Sequence, residues 1–168
     1  MRCTIGLTTS SLLAASLCAG SLAGAQVTAG QRDTFEGGTT QNWQINVLGP
    51  NAPLGPPPAA ALPTVMTGGP GGAGDHYLEL HALGTPGAGG RLAVINPGGQ
   101  WAGNYLAAGI GGISMNVRNL GATDLALRLL FENPMMGPPT DEAVSATAFL
   151  LPANSGWTSV FFPLFGPY

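Results

Sequence analysis

Few residues of this 168-residue chain could carry chemistry. Its two histidines bracket an acid in His76-Tyr77-Leu78-Glu79-Leu80-His81. On an extended strand Tyr77, Glu79 and His81 share a face, an arrangement that could serve a metal ion or an acid/base pair. The spacing matches neither His-Glu-x-x-His nor His-x-x-Glu-His, both of which work on a helix. The stripe is therefore expected to be a solvent-facing polar edge. Glycoside hydrolysis needs two carboxylates opposed across a cleft, and the eight acids here are scattered among strand ends. No serine stands in a nucleophile elbow. We read the chain as a non-enzyme.

Binding chemistry is better represented. Trp43, Trp101, Tyr105 and Trp157 could stack on the apolar face of a pyranose, with Asn, Gln or acid groups taking its hydroxyls. Each ring is also an ordinary core or sheet-cover residue. Trp101 and Tyr105, ringed by Gly and Asn, are the best placed to be exposed, and Asn104 lies between them. These three are the candidate ligand-binding residues.

The elements that must position them are strands. In 112–132, Ile113, Met115 and Val117 alternate with Ser114, Asn116 and Arg118, the period of a strand with one buried face. Asn119, Gly121 and Asp124 turn the chain, and Leu125, Leu127, Leu129 and Phe131 follow on one side of a second run. The pair is expected to be an antiparallel hairpin at the centre of a β-sandwich. Around it the chain offers strands at Arg32–Glu36, Asn42–Leu48, Leu62–Met66, His76–Leu83, Arg91–Asn96, Val144–Leu151 and Trp157–Leu164, with no convincing helix. Five prolines bar Gly49–Ala61 from a central ladder. Gly68–Gly74 lacks the Lys-Ser/Thr ending and helix of a phosphate-binding loop, and is expected to be a flexible crossing between sheets.

Composition sets the outer limits. Arg2 is the only charge before an apolar, small-residue run ending Ala23-Gly24-Ala25, the pattern of a secretory leader cleaved after Ala25. Residues 26–31 then form a loose arm and 32–168 the domain. Both cysteines, Cys3 and Cys18, fall in the leader, so the mature chain is left without disulfide, zinc knot or thiol nucleophile. It has no lysine, and four arginines face eight acids, a net charge of −4. An acidic chain without a basic patch argues against nucleic acid or an anionic membrane as partner. Past the leader no segment approaches the ~20 apolar residues of a membrane span. The localisation expected is periplasmic or extracellular.

The order of these residues resembles a known group. Asp33-Thr34-Phe35-Glu36-Gly37-Gly38 followed by Trp43 is similar to the opening of galactose-binding-like jelly-roll domains, which include many carbohydrate-binding modules and laminin-B-like domains. Gly69–Leu80, Gln100–Tyr105 and Ser155–Thr158 resemble secreted bacterial proteins of that architecture, several of which carry a Pro-Glu-Pro sorting tail. No such tail is found here. The resemblance implies an all-β antiparallel jelly-roll sandwich of eight or nine strands. It also implies a structural calcium held by Asp33, Glu36 and Asp75, although calcium takes six to eight oxygens and three acids are a partial set. The strong apolar face Val160, Phe162, Leu164 so near Tyr168 suggests a C-terminally truncated domain lacking its closing strand. The function expected is weak binding of a polysaccharide or glycan. The alternative is an envelope or matrix structural protein without a small ligand. The oligomeric state is left open.

Overall fold

A computed structural model of the chain describes residues 2–8, 26–45, 59–84, 92–132 and 142–164. The described residues are all-β, arranged as several antiparallel sheets consistent with a β-sandwich. In chain order the strands are β1 (Arg2–Thr8), β2 (Arg32–Asp33), β3 (Gln44–Ile45), β4 (Thr64–Gly69), β5 (Gly72–His81) and β6 (Val94–Ile95). There follow β7 (Gly112–Asn119), β8 (Leu125–Leu127), β9 (Leu130–Glu132), β10 (Glu142–Val144), β11 (Phe149–Leu151) and β12 (Ser155–Pro163). Among the described residues no helix is long and apolar enough to cross a membrane.

The main sheet runs β12-β7-β1-β5-β4, with β2 also paired to β1. Three two-stranded pieces, β8–β11, β9–β10 and β3–β6, complete the fold. Alternation decides which face of β7 is inside: Ile113, Met115 and Val117 are buried, and Ser114, Asn116 and Arg118 are less so. That face meets Leu125, Leu151, Val160 and Phe162 in one core cluster. A second cluster gathers Phe35, Leu78 and Leu80, with Trp43, Val65, Leu92 and Val94 against it. Burying each such side chain is worth about 1.5–3 kcal/mol.

The expected central hairpin does not form. β7 pairs with β1 and β12, whereas β8 pairs with β11. Asn119 is the physical reason: fully buried, its Nδ2 donates to the Thr123 carbonyl at 2.8 Å, and its Oδ1 accepts from Gly121 N–H at 2.9 Å. Those bonds carry the chain out of the main sheet instead of folding it back alongside. The second run is also divided. At Leu129 pairing passes from β11 to β10, through Ser145 N–H donating to the Leu129 carbonyl and Leu129 N–H to Ser145 Oγ. Arg128 holds the break, its Nη1 donating to the carbonyls of Ser145 and Ala146.

Two further expectations change. Gly68–Gly74 is not a crossing between sheets: Pro70-Gly71 is a tight turn joining β4 to β5 within the main sheet. A Cβ at Gly69 would crowd the Asp75 carboxylate, which would have to swing aside. The arm at 26–31 is anchored, with Val27 buried and its N–H donating to the Ala102 carbonyl at 2.7 Å. Arg2–Thr8, within the stretch read as a leader, forms β1 between β5 and β7.

Candidate functional site

Two of the aromatic residues singled out in the sequence, Trp43 and Trp101, come together around the buried carboxylate of Asp33. Phe35 adopts a left-handed backbone, φ 61°, and is nevertheless buried. Its N–H donates to Gln41 Oε1 at 2.8 Å and its carbonyl accepts from Gly38 N–H, so the surrounding loop holds a conformation costly for a bulky residue. Two residues earlier, Asp33 is 4% exposed. Its Oδ2 accepts the indole N–H of Trp43 and that of Trp101, each at 2.7 Å. Hydrogen bonds to an ionised acceptor are the strong ones, and two of them fix both ring planes. Gln100 Nε2 donates to the Gln41 carbonyl at 2.9 Å and reaches Asp33 at longer range. The knot thus ties the 33–43 loop to the 96–101 segment.

From Trp101 the structure steps outward. Tyr105 O–H donates to the Trp101 carbonyl at 2.6 Å. The Tyr105 ring meets Phe131 edge-on at 4.9 Å. Burial pushes its phenol up to about 12. Gly103, φ 137°, must be glycine because a Cβ would stand 2.8 Å from Gln26 Cγ and 3.1 Å from Val27 N. This close approach presents the next residues outward. Asn104 is exposed, its Oδ1 accepting from Ala107 N–H at 3.0 Å, and Leu106 is 68% exposed. Gly103, Asn104, Tyr105 and Leu106, with Phe131 and Leu164, line an open depression of about 500 Å³.

Of the three candidate ligand-binding residues, Asn104 and Tyr105 line this depression and Trp101 does not. Trp101 and Tyr105 both pack against the core cluster of β7, β8, β11 and β12, half-buried where the sequence suggested exposure. Phe131, Leu106 and Leu164 were not foreseen as lining residues. The alternation of 125–131 makes Phe131 a core position, and nothing local shows that its ring ends at a surface.

The acids expected to hold calcium do not assemble. Among the described residues no three His, Cys, Asp or Glu side chains are placed to hold a metal ion. Asp33 is committed to the indoles. Glu36 Oε1 accepts His76 N–H at 3.0 Å and its Oε2 lies 2.8 Å from His76 Nδ1. These contacts, the backbone one foremost, hold its carboxyl below the usual 4.5. Asp75 accepts Gly71 N–H at 2.7 Å in the β4–β5 turn. Asp33 and Phe35 stand two apart, but β2 ends at Asp33 and Phe35 turns left-handed, so strand alternation does not link their burial.

The Tyr77–Glu79–His81 stripe is not solvent-facing. Tyr77 is 3% and Glu79 5% exposed. Glu79 accepts from Tyr77 O–H at 3.3 Å and lies 2.7 Å from His81 Nε2. Arg118 donates to the Tyr77 hydroxyl at 2.7 Å, its guanidinium lying 4.8 Å from the Tyr77 ring centre and 5.0 Å from that of Trp157. Tyr77 and Trp157 meet edge-on at 5.4 Å. Cation–π contact stabilises such a charge by about 0.5–2 kcal/mol. The cluster knits β5, β7 and β12 together.

The chain matches no protein-family model, no curated protein and no solved structure.

Proposed function

We propose that this chain is an exported, non-catalytic β-sandwich module that binds polysaccharide weakly at the depression beside Tyr105. The observation that carries this reading is the pairing of a ring held in place with an exposed amide at one open, mainly apolar hollow. The hydrogen bond to Trp101 and the edge contact with Phe131 pin the Tyr105 ring, which lowers the entropy lost on stacking against a sugar. Asn104 supplies polar atoms at the rim, and Leu106 and Leu164 widen the apolar floor. An open hollow excludes little water, so affinity is expected to be low. The order of residues from Asp33 to Trp157 supports a galactose-binding-like relative, and the leader pattern supports export.

A structural or adhesive role is the second reading. It is favoured by apolar side chains on the small sheets: Leu130 and Val144, directly paired, are 42% and 56% exposed, and Leu150 is 72% exposed. Exposed apolar patches of this kind mark interaction surfaces.

Affinity electrophoresis against soluble polysaccharides discriminates the two. Leu106→Asp and Asn104→Ala each alter an exposed lining residue, so both are expected to abolish retardation with little change in melting temperature. Retardation that survives both substitutions would place binding elsewhere. A wild type retarded by none of the polysaccharides would favour the structural reading.

A further inference from the structure

The hollow beside Tyr105 is poor in hydrogen-bond acceptors. Residues 104–110 form a compact turn that engages its own carbonyls: Asn104 O accepts from Ala108 N–H, Tyr105 O from Ile110 N–H and Leu106 O from Gly109 N–H, each at 3.0 Å. The Tyr105 O–H is turned to the Trp101 carbonyl. Leu106, Phe131 and Leu164 add only hydrocarbon and ring, and among the described residues no lining side chain is charged.

Asn104 is the exception, and the sense of its amide is fixed. Such a side chain has one acceptor oxygen and two N–H donors on nitrogen. The backbone N–H of Ala107 can only donate, so the Asn104 atom that it meets at 3.0 Å is the oxygen. Nδ2 makes no hydrogen bond to another described residue, and Asn104 lines the hollow. The site therefore presents a donor beside apolar walls, with the nearby carbonyls already engaged.

That pattern discriminates among the groups a sugar carries. A hydroxyl brings a proton that needs an acceptor, and leaving it unpaired on leaving water is costly. A carboxylate would bring a negative charge to a hollow with no described cation on its lining, in an acidic chain. An acetyl group meets neither obstacle. Its carbonyl oxygen only accepts, and its methyl needs no polar partner.

Resting on the glycan-binding reading of this hollow, we propose that the group it recognises is an acetyl substituent on the sugar. The carbonyl oxygen accepts from Asn104 Nδ2, the methyl lies against Leu106, Phe131 and Leu164, and the sugar ring stacks on Tyr105. The same carbonyl and methyl occur in 2-acetamido sugars and in O-acetyl esters, so the test separates the two sources.

The test is isothermal titration calorimetry of the full chain with oligosaccharides matched except for the acetyl group. Cellotetraose and N-acetylated chitotetraose differ only in hydroxyl against acetamido at the second carbon of each ring. Acetylated xylotetraose is set against the same material after mild alkaline removal of its esters. The acetylated member of at least one pair is expected to bind about five- to tenfold more tightly, from one added hydrogen bond and a buried methyl. A preference in the first pair alone assigns an acetamido sugar, and in the second alone an acetyl ester. Asn104→Asp keeps an oxygen for Ala107 N–H but puts a second acceptor where the donor stood. It is expected to erase the preference while the melting temperature holds. Equal affinity within both pairs would overturn the acetyl proposal and leave glycan binding standing. So would a preference that survives Asn104→Asp. Binding of none of the four oligosaccharides would overturn both.

Discussion

Tyr105 and Asp33 show how single side chains were partly visible in the sequence. Asn and Gly around Trp101 and Tyr105 announced a surface segment, and Asn104 and Leu106 are indeed exposed. The aromatic rings beside them are turned inward because Asp33 and the Trp101 carbonyl capture their polar edges, long-range partners that local spacing does not reveal. Asp33→Ala is expected to lower stability by about 1–3 kcal/mol, because both indole N–H groups donate to the one Asp33 oxygen and lose their acceptor together. Urea unfolding followed by tryptophan fluorescence checks this, and an unchanged midpoint would mean that the double indole bond contributes nothing. The Tyr105 phenol offers a pH test. Its value is raised from 10 to about 12, so the stabilisation from keeping it neutral is full below pH 10 and is lost as pH climbs towards 12. Tyr105→Phe should flatten that alkaline fall in melting temperature. Ultraviolet titration of wild type against Tyr105→Phe should show the Tyr105 phenol ionising late.

At the scale of elements, period-2 patterning identified most strands, because one-sided burial writes itself into sequence as alternation. It did not identify their partners. β7 and β8 are joined by a turn that looks like a hairpin connection, yet buried Asn119 sends the chain into another sheet. Likewise Leu125, Leu127, Leu129 and Phe131 keep the period of one strand, and only the Arg128 and Ser145 contacts divide the run into β8 and β9. Leu127 packs against the core cluster, so Leu127→Asp is expected to prevent folding. Arg128→Ser removes two exposed bonds to carbonyls and should cost about 1 kcal/mol or less. Paired thermal melts of the two variants provide the check. Comparable damage from both would show that the outer side of the break is as critical as the inner one.

For the whole molecule, Gly, Pro and low charge pointed to an all-β fold, and the fold is all-β. The calcium set was not legible in the same way. Acids close in sequence to one motif were diverted to indoles, a histidine and a turn amide. The pairing of Arg2–Thr8 between β5 and β7 could not be read either, because a short stretch of this composition fits a leader and a sheet strand alike. The function proposed rests on the hollow at Tyr105, which adjoins the Asp33 knot, the arm at Val27 and Phe131. The most direct measurement is a titration of the isotopically labelled protein with soluble oligosaccharides, following backbone amides by nuclear magnetic resonance. The account predicts fast-exchange shifts confined to Gly103–Leu106, Phe131 and Leu164. Shifts centred on Leu130, Val144 and Leu150, or none with any oligosaccharide, would contradict it.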